Sequence, residues 1–182
     1  LELVKPFESV IQDDSGSDSP SGMYLPYFED AIIKLIAKPY TIVEARRTSL
    51  AGNGVKLILM SKTIKDTLLE KNSGTYIVDD KEYNVTVDFI SPTQVKFTVN
   101  GLGTPLLNKS QSYGFLDKTH IYVPDIIYED FAGGLHWVTF YLGKDKTELK
   151  DTYVKDVIST HALKVNDNTI DDAPVIIEGT DD

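Results

Sequence analysis

"YEDFAGGLHWVTFYLGKDK", residues 128–146, sets two glycines between two apolar runs. The second run alternates: His136, Val138, Phe140 and Leu142 share one parity, while Trp137, Thr139 and Tyr141 share the other. Side chains on one face of a strand recur every second residue, so this is a strand pattern, with Gly143 as its expected end. Upstream, "HIYVPDIIY" (120–128) is rich in β-branched and aromatic residues and also predicts a strand. Gly133-Gly134 then supplies the positive-φ positions of a tight connection, and the whole stretch predicts a β-hairpin. A phosphate-binding loop is excluded, because it would lead from its glycines into a helix, and here a strand follows.

Outward from this hairpin the pattern repeats. "VKLILM" (55–60), "YNVTVDFI" (83–90), "VKFTVNG" (95–101), "HIYVPDII" (120–127) and "WVTFYLG" (137–143) all favour strands. Ser91-Pro92, Asn100-Gly101 and Gly133-Gly134 punctuate them. "KTIKDTLLEKN" (62–72) is the helical contender, with about two turns near 63–71, too few to be stable without packing. "YFEDAIIKLIAKPYTIVEA" (27–45) suits a buried strand or a short helix, which Pro39 would end, and strands are favoured. The fold class is therefore all-β, one or two sandwich-like units. "IQDDSGSDSPSG" (11–22) is acidic and rich in Ser and Gly, so residues 1–27 are expected as a lead-in or linker to a β-rich domain over 28–182.

That domain contains an internal repeat. "LLEKNSGTY" (68–76) matches "LLNKSQSY" (106–113). Each is followed by an acidic turn (Asp79-Asp80 or Asp117), then "NVTVDFI" or "HIYVPDII", and each unit closes with "VKFTVNG" or "VTFYLG". The two copies cover about 68–101 and 106–143, and a weaker third covers about 40–62. Duplication of a β-unit explains the shared "LL-x-K"; chance likeness among strands explains part of the rest.

The totals restrict function. With 18 Lys and Arg against 28 Asp and Glu, the formal charge is 18 − 28 = −10, which disfavours nucleic acid as a partner. No cysteine is present, so disulfides, thiolate metal sites and cysteine nucleophiles are excluded. No apolar run approaches the ~20 residues that span a bilayer; "AIIKLIA" (31–37) is short and carries Lys34. Residue 1 is Leu and the chain stops in "EGTDD", so a processed chain or an excised part of a longer protein is expected.

"NVTVDFISPTQVKFTVNG" (84–101), "LLNKSQSYGFLDKTHIYVPDIIYEDFAGGLHWVTFYLG" (106–143) and the tail "LKVNDNTIDDAPVIIEGTDD" (163–182) together resemble the repeat of archaeal surface-layer proteins of the methanococcal type. Tyr128, Asp130, Ala132, Gly133, Gly134, Val138, Phe140, Tyr141, Leu142 and Gly143 match that pattern. Residues 108–112 depart from a Gly-Glu turn, and Leu102 stands where the family has a charge; both departures lie in turns. The resemblance covers about 28–182. It implies a secreted, extracellular protein that forms a two-dimensional lattice around the cell, with neighbouring subunits as partners and no catalytic residues.

Candidate chemistry is sparse. His120, His136 and His161 show no metal-ligand spacing, and His136 is expected as a satisfied histidine near a strand end. No nucleophile elbow supports a Ser-His-Asp triad, so a surface hydrolase is the weakest alternative. Asp13, Asp14 and Asp18, with Asp171 and Asp172, lie in turn-like sequence and are the candidate calcium ligands, against the default of solvated acidic turns. Asn84-Val85-Thr86 and Asn108-Lys109-Ser110 are N-glycosylation sequons, with Asn84 and Asn108 as acceptors. Trp137 and Tyr141 lie opposite the expected core face. They are either covered by other structure, or exposed as a subunit contact or as the stacking platform of a carbohydrate-binding adhesin.

Overall fold

The computed structural model describes residues 9–13, 15–19, 22–48, 54–131, 133–151 and 162–177. The chain forms two compact units: the first comprises Leu1–Ser61 and Asp145–Asp182, the second Lys62–Lys144. The boundaries therefore fall inside the expected 28–182 domain. In chain order the strands are β1 (Ile32–Leu35), β2 (Lys38–Arg47), β3 (Val55–Leu69), β4 (Ser73–Val78), β5 (Lys81–Ile90), β6 (Gln94–Val99), β7 (Leu102–Gly103), β8 (Leu107–Asn108), β9 (Gln111–Gly114), β10 (Thr119–Tyr128), β11 (His136–Lys150), β12 (Leu163–Val165) and β13 (Asn168–Ile170). The all-β expectation holds. Among the described residues no helix is long and apolar enough to cross a membrane.

Two local expectations are corrected. The stretch 63–71 is not a helix: β3 continues to Leu69, and Glu70 and Lys71 turn. Ile64 and Leu68 would share a face in either conformation, so their spacing does not decide. The β-branched Thr63, Ile64 and Thr67 favour extension, and the backbone finds a partner strand, with the Glu70 N–H donating to the His136 carbonyl at 3.0 Å. Gly143 does not end its strand either. It sits in register with His120, and β11 runs on to Lys150, where it pairs with β12.

The first unit is built on an antiparallel sheet in the order β1-β2-β3-β11-β12-β13. One face buries Ile33, Ile42, Ala45, Leu57, Leu59 and Leu149. Lys56 stands 3.5 Å from Glu44 and 3.9 Å from Glu148, so charged residues interleave with this core set. The expected lead-in belongs to this unit where it is described. Ile11 and Leu25 join the core, and Tyr24 bridges to Arg46, whose guanidinium lies 5.0 Å from its ring.

The second unit is a sandwich. One sheet runs β9-β10-β11-β3; the other runs β4-β5-β6-β7, with β8 beside β6. Val85, Val87, Phe97, Ile121, Val123, Val138, Phe140 and Leu142 fill the space between them. Phe97 and Phe140 meet edge-on at 5.6 Å, and Tyr76 reaches Phe140 at the same separation. The two sequence copies map onto this unit in parallel ways. "LLEKNSGTY" carries the chain from β3 into β4, and "LLNKSQSY" carries it from β8 into β9, so both are corners between sheets. Each copy also has a bulge at the same step, between Val87 and Phe89 in β5 and between Tyr122 and Asp125 in β10. The bulge shifts the inward parity, so core residues fall at 85, 87 and 90 in one copy and at 121, 123 and 126 in the other.

Candidate interaction surface

The most developed polar cluster of the second unit grips the β9–β10 turn, Phe115 to Lys118. The Phe115 N–H donates to the Thr119 carbonyl at 2.8 Å, and the Lys118 N–H donates to the Phe115 carbonyl at 3.0 Å. Asp117 anchors this turn. Its carboxylate accepts from the Lys81 ammonium and the Tyr83 hydroxyl, both at 2.7 Å, and from the Thr119 N–H at 3.1 Å; the Lys144 ammonium lies 3.3 Å away. Burial by itself would raise the Asp117 pKa, but the bonds from Lys81, Tyr83 and Thr119 outweigh it and hold the carboxyl well below the usual range. The same contact raises the Lys81 ammonium. A turn fixed at so many points would need no apolar residue at its apex, yet Leu116 sits there, fully exposed.

Beside it the sandwich is open. β7 contributes two residues and β9 four, and neither closes the gap between the sheets. Two hollows of about 150 and 320 Å³ share Leu102, Phe115 and Leu116 and form one apolar groove. Leu102 is 61% exposed at its rim.

At the other end of β10 and β11 lies the loop that the double glycine predicted, described at 129–131 and 133–135. The Glu129 carboxylate accepts from the Leu135 N–H at 2.8 Å, and the Gly134 N–H donates to the Phe131 carbonyl at 2.9 Å. Gly133 takes a φ of +84°, and a Cβ at Gly134 would collide with the Glu129 carbonyl. The glycines thus serve the turn. The loop holds Phe131 and Leu135 outward, 66% and 56% exposed. Beneath them His136 stacks on Tyr128 at 3.9 Å and bonds Glu70 at 3.2 Å, a satisfied histidine as expected.

Trp137 is half-buried and faces Ile127 across the strands, next to this loop. Tyr141 corrects the exposed alternative: it is 1% exposed, with Tyr122 beside it and the Lys65 ammonium 5.1 Å from its ring centre. The paired stacking platform is therefore lost, because only one of its two rings reaches the surface. Asn84 is exposed on β5, its amide 3.5 Å from the Thr75 hydroxyl. Asn108 is half-buried and bonds Gln111.

The acidic candidates stand as follows. Asp13 accepts from the N–H and hydroxyl of Ser15 and from the Ser17 N–H, bonds that lower its pKa and occupy the carboxylate within its own loop. Asp18 accepts from Gln12. Asp171 and Asp172 are exposed in the turn after β13. Asp14 and His161 lie outside the described residues. Among the described residues no group of three or more His, Asp or Glu converges to hold a metal ion. Sequence reasoning missed the Asp117 cluster, whose members come from residues 81, 83, 117 and 144 and share no local motif. It also passed over Leu116, although an apolar residue in "GFLDK", where a turn favours polar ones, was a legible signal.

No protein family, curated protein or solved structure matches the chain.

Proposed function

We propose that this chain is a structural, self-associating segment of a cell-surface lattice, of the archaeal surface-layer kind, working outside the cell with further copies as partners. One observation carries the reading. The second unit holds two exposed apolar features, Leu102 on β7 with Leu116 on its bonded turn, and Phe131 with Leu135 on theirs. Neither feature contributes to the sandwich core. Exposed large apolar side chains held on tightly bonded turns suit contact with protein better than solution. The likeness of the 84–101 and 106–143 segments to the surface-layer repeat gives the direction. The burial of Tyr141 weighs against the carbohydrate-binding alternative. Sedimentation over a wide concentration range, with electron microscopy of the concentrated sample, tests this. Reversible growth into extended assemblies is expected, and a strict monomer at every concentration overturns it.

A further inference from the structure

We infer that the Phe131–Leu135 loop of one copy seats in the Leu102–Leu116 groove of the next, a head-to-tail contact; this rests on the self-association proposed above. The two features are matched in apolar character and in sign. The loop turns Phe131 and Leu135 outward, and the groove is a concave apolar mouth lined by Tyr113 and Phe115 as well. The tip, 129–135, carries Glu129 and Asp130 and no Lys or Arg, whereas Asp125, further down β10, is already paired with Lys109 at 3.0 Å. The groove lining carries Lys81, the Lys96 side chain lies against Gly103, and Lys118 stands in the turn at the rim, with Asp117 as the facing carboxylate already engaged by Lys81 and Lys144. An acidic tip thus meets a rim with a surplus of ammonium groups.

The two features also lie too far apart to satisfy one another within one copy. The groove turn precedes Thr119 and the tip follows Tyr128, so the ten residues of β10 separate them, about 30 Å at the rise of a strand. A contact between unlike surfaces at opposite ends leaves a free tip and a free groove after every addition, and so propagates. One tip in one groove falls short of the ~1,200 Å² of a stable complex, so each contact is weak, and the variants and their mixture are compared at the concentrations at which the parent assembles.

Two variants test it: Phe131→Asp with Leu135→Asp in the tip, and Leu102→Asp with Leu116→Asp in the groove. All four positions are exposed, and unchanged melting curves confirm that each variant is folded. Each variant alone is expected to stay monomeric where the parent assembles. Mixed one to one, they are expected to form a heterodimer and stop, because the mixture holds one intact tip and one intact groove. Parent-like assembly by both variants overturns the inference and leaves self-association standing. Monomeric variants whose mixture also stays monomeric overturn it as well, since the surfaces then matter without meeting. A parent chain that never assembles overturns the proposed function, and this inference with it. The lack of cysteine offers a second readout: Leu135→Cys and Leu116→Cys chains, mixed under mild oxidation, are expected to cross-link to each other faster than either does to itself. Equal rates overturn the contact.

Discussion

The two copies inside the second unit share corners, bulges and core positions, and differ in their turns. In the first copy β4 and β5 are joined by Asp79-Asp80, and β5 and β6 by Ser91 to Thr93, all short and polar. In the second copy the matching connections are Phe115 to Lys118 and Glu129 to Leu135, longer and tipped with Leu116, Phe131 and Leu135. A hairpin of this sandwich can be turned with two aspartates. The apolar residues of the second copy are therefore not requirements of the fold, and the places where the copies diverge are where contacts with other molecules are to be sought.

The sharpest test of the shared part is the aromatic pair at equivalent positions, Phe97 in "VKFTVNG" and Phe140 in "VTFYLG". Both are fully buried and they touch each other. Phe140→Ala and Phe97→Ala should each cost about 3–5 kcal/mol in denaturant unfolding. The double variant should cost less than the sum, because the two rings share one space. Thr139→Ala, on the other face beside Phe140, should cost far less. A large asymmetry between the two phenylalanines would break the equivalence of the copies.

The acidic turns separate the copies next. Asp79 pairs with Lys62, and both are well exposed, so Asp79→Asn, which removes the charge and still tolerates the left-handed turn, should cost about 0–1 kcal/mol. Asp117 serves Tyr83 and Thr119, which are buried, and Asp117→Ala would leave those groups without their acceptor, at about 1–3 kcal/mol. The folded-state pKa of Asp117 is depressed, so its contribution is full above the unfolded value near 4 and fades as pH falls below it. The gap in melting temperature between the parent and Asp117→Asn should therefore be widest near neutrality and close in acid. A gap that stays constant down to about pH 2 would exclude the linkage.

Much of this fold was legible because strands announce themselves by parity. The alternation at 136–142 placed Val138, Phe140 and Leu142 inside, and the double glycine gave the turn its conformation. Parity failed where it had to. Thr63 to Leu69 carries helix-compatible spacing, and only pairing with a neighbouring strand resolves it. Tyr141 has outward parity yet is buried, because parity says which side a residue faces and not what covers that side. Asp13 was a sound acidic candidate by composition, but its bonds to Ser15 and Ser17 are local geometry that composition does not encode. The Asp117 cluster was out of reach because its members meet only once the sandwich has formed.

A turn in the first unit extends the same contrast. Asp79-Asp80 adopts left-handed φ values of 54° and 59°, which aspartate tolerates. Ile36-Ala37, between β1 and β2, adopts 48° and 62°, and Ile36 is fully exposed. A β-branched residue there is strained and buries nothing in return. Replacing the pair with Asn-Gly should stabilise the protein by about 1 kcal/mol. No gain would mean that the unfolded chain already favours this turn, or that Ile36 makes a contact in the assembled state, and comparing dilute with concentrated samples separates the two.

The smallest effect concerns the residues that distinguish the second copy. Leu116 and Leu135 are 105% and 56% exposed and contribute little or nothing to the buried core. Surface substitutions away from caps, strain and networks usually fall within about 0.5 kcal/mol, so Leu116→Ser and Leu135→Ser should leave the unfolding midpoint of the dilute monomer almost unchanged. A fold that needed these leucines would lose stability at every concentration. A surface that serves neighbouring copies would instead show no change when dilute, and a reduced concentration-dependent rise in melting temperature, because association stabilises the folded state by mass action. Melting curves of both variants at low and high protein concentration separate these cases. A loss of more than about 1 kcal/mol in the dilute sample would place the leucines among the structural residues and remove the main difference between the copies.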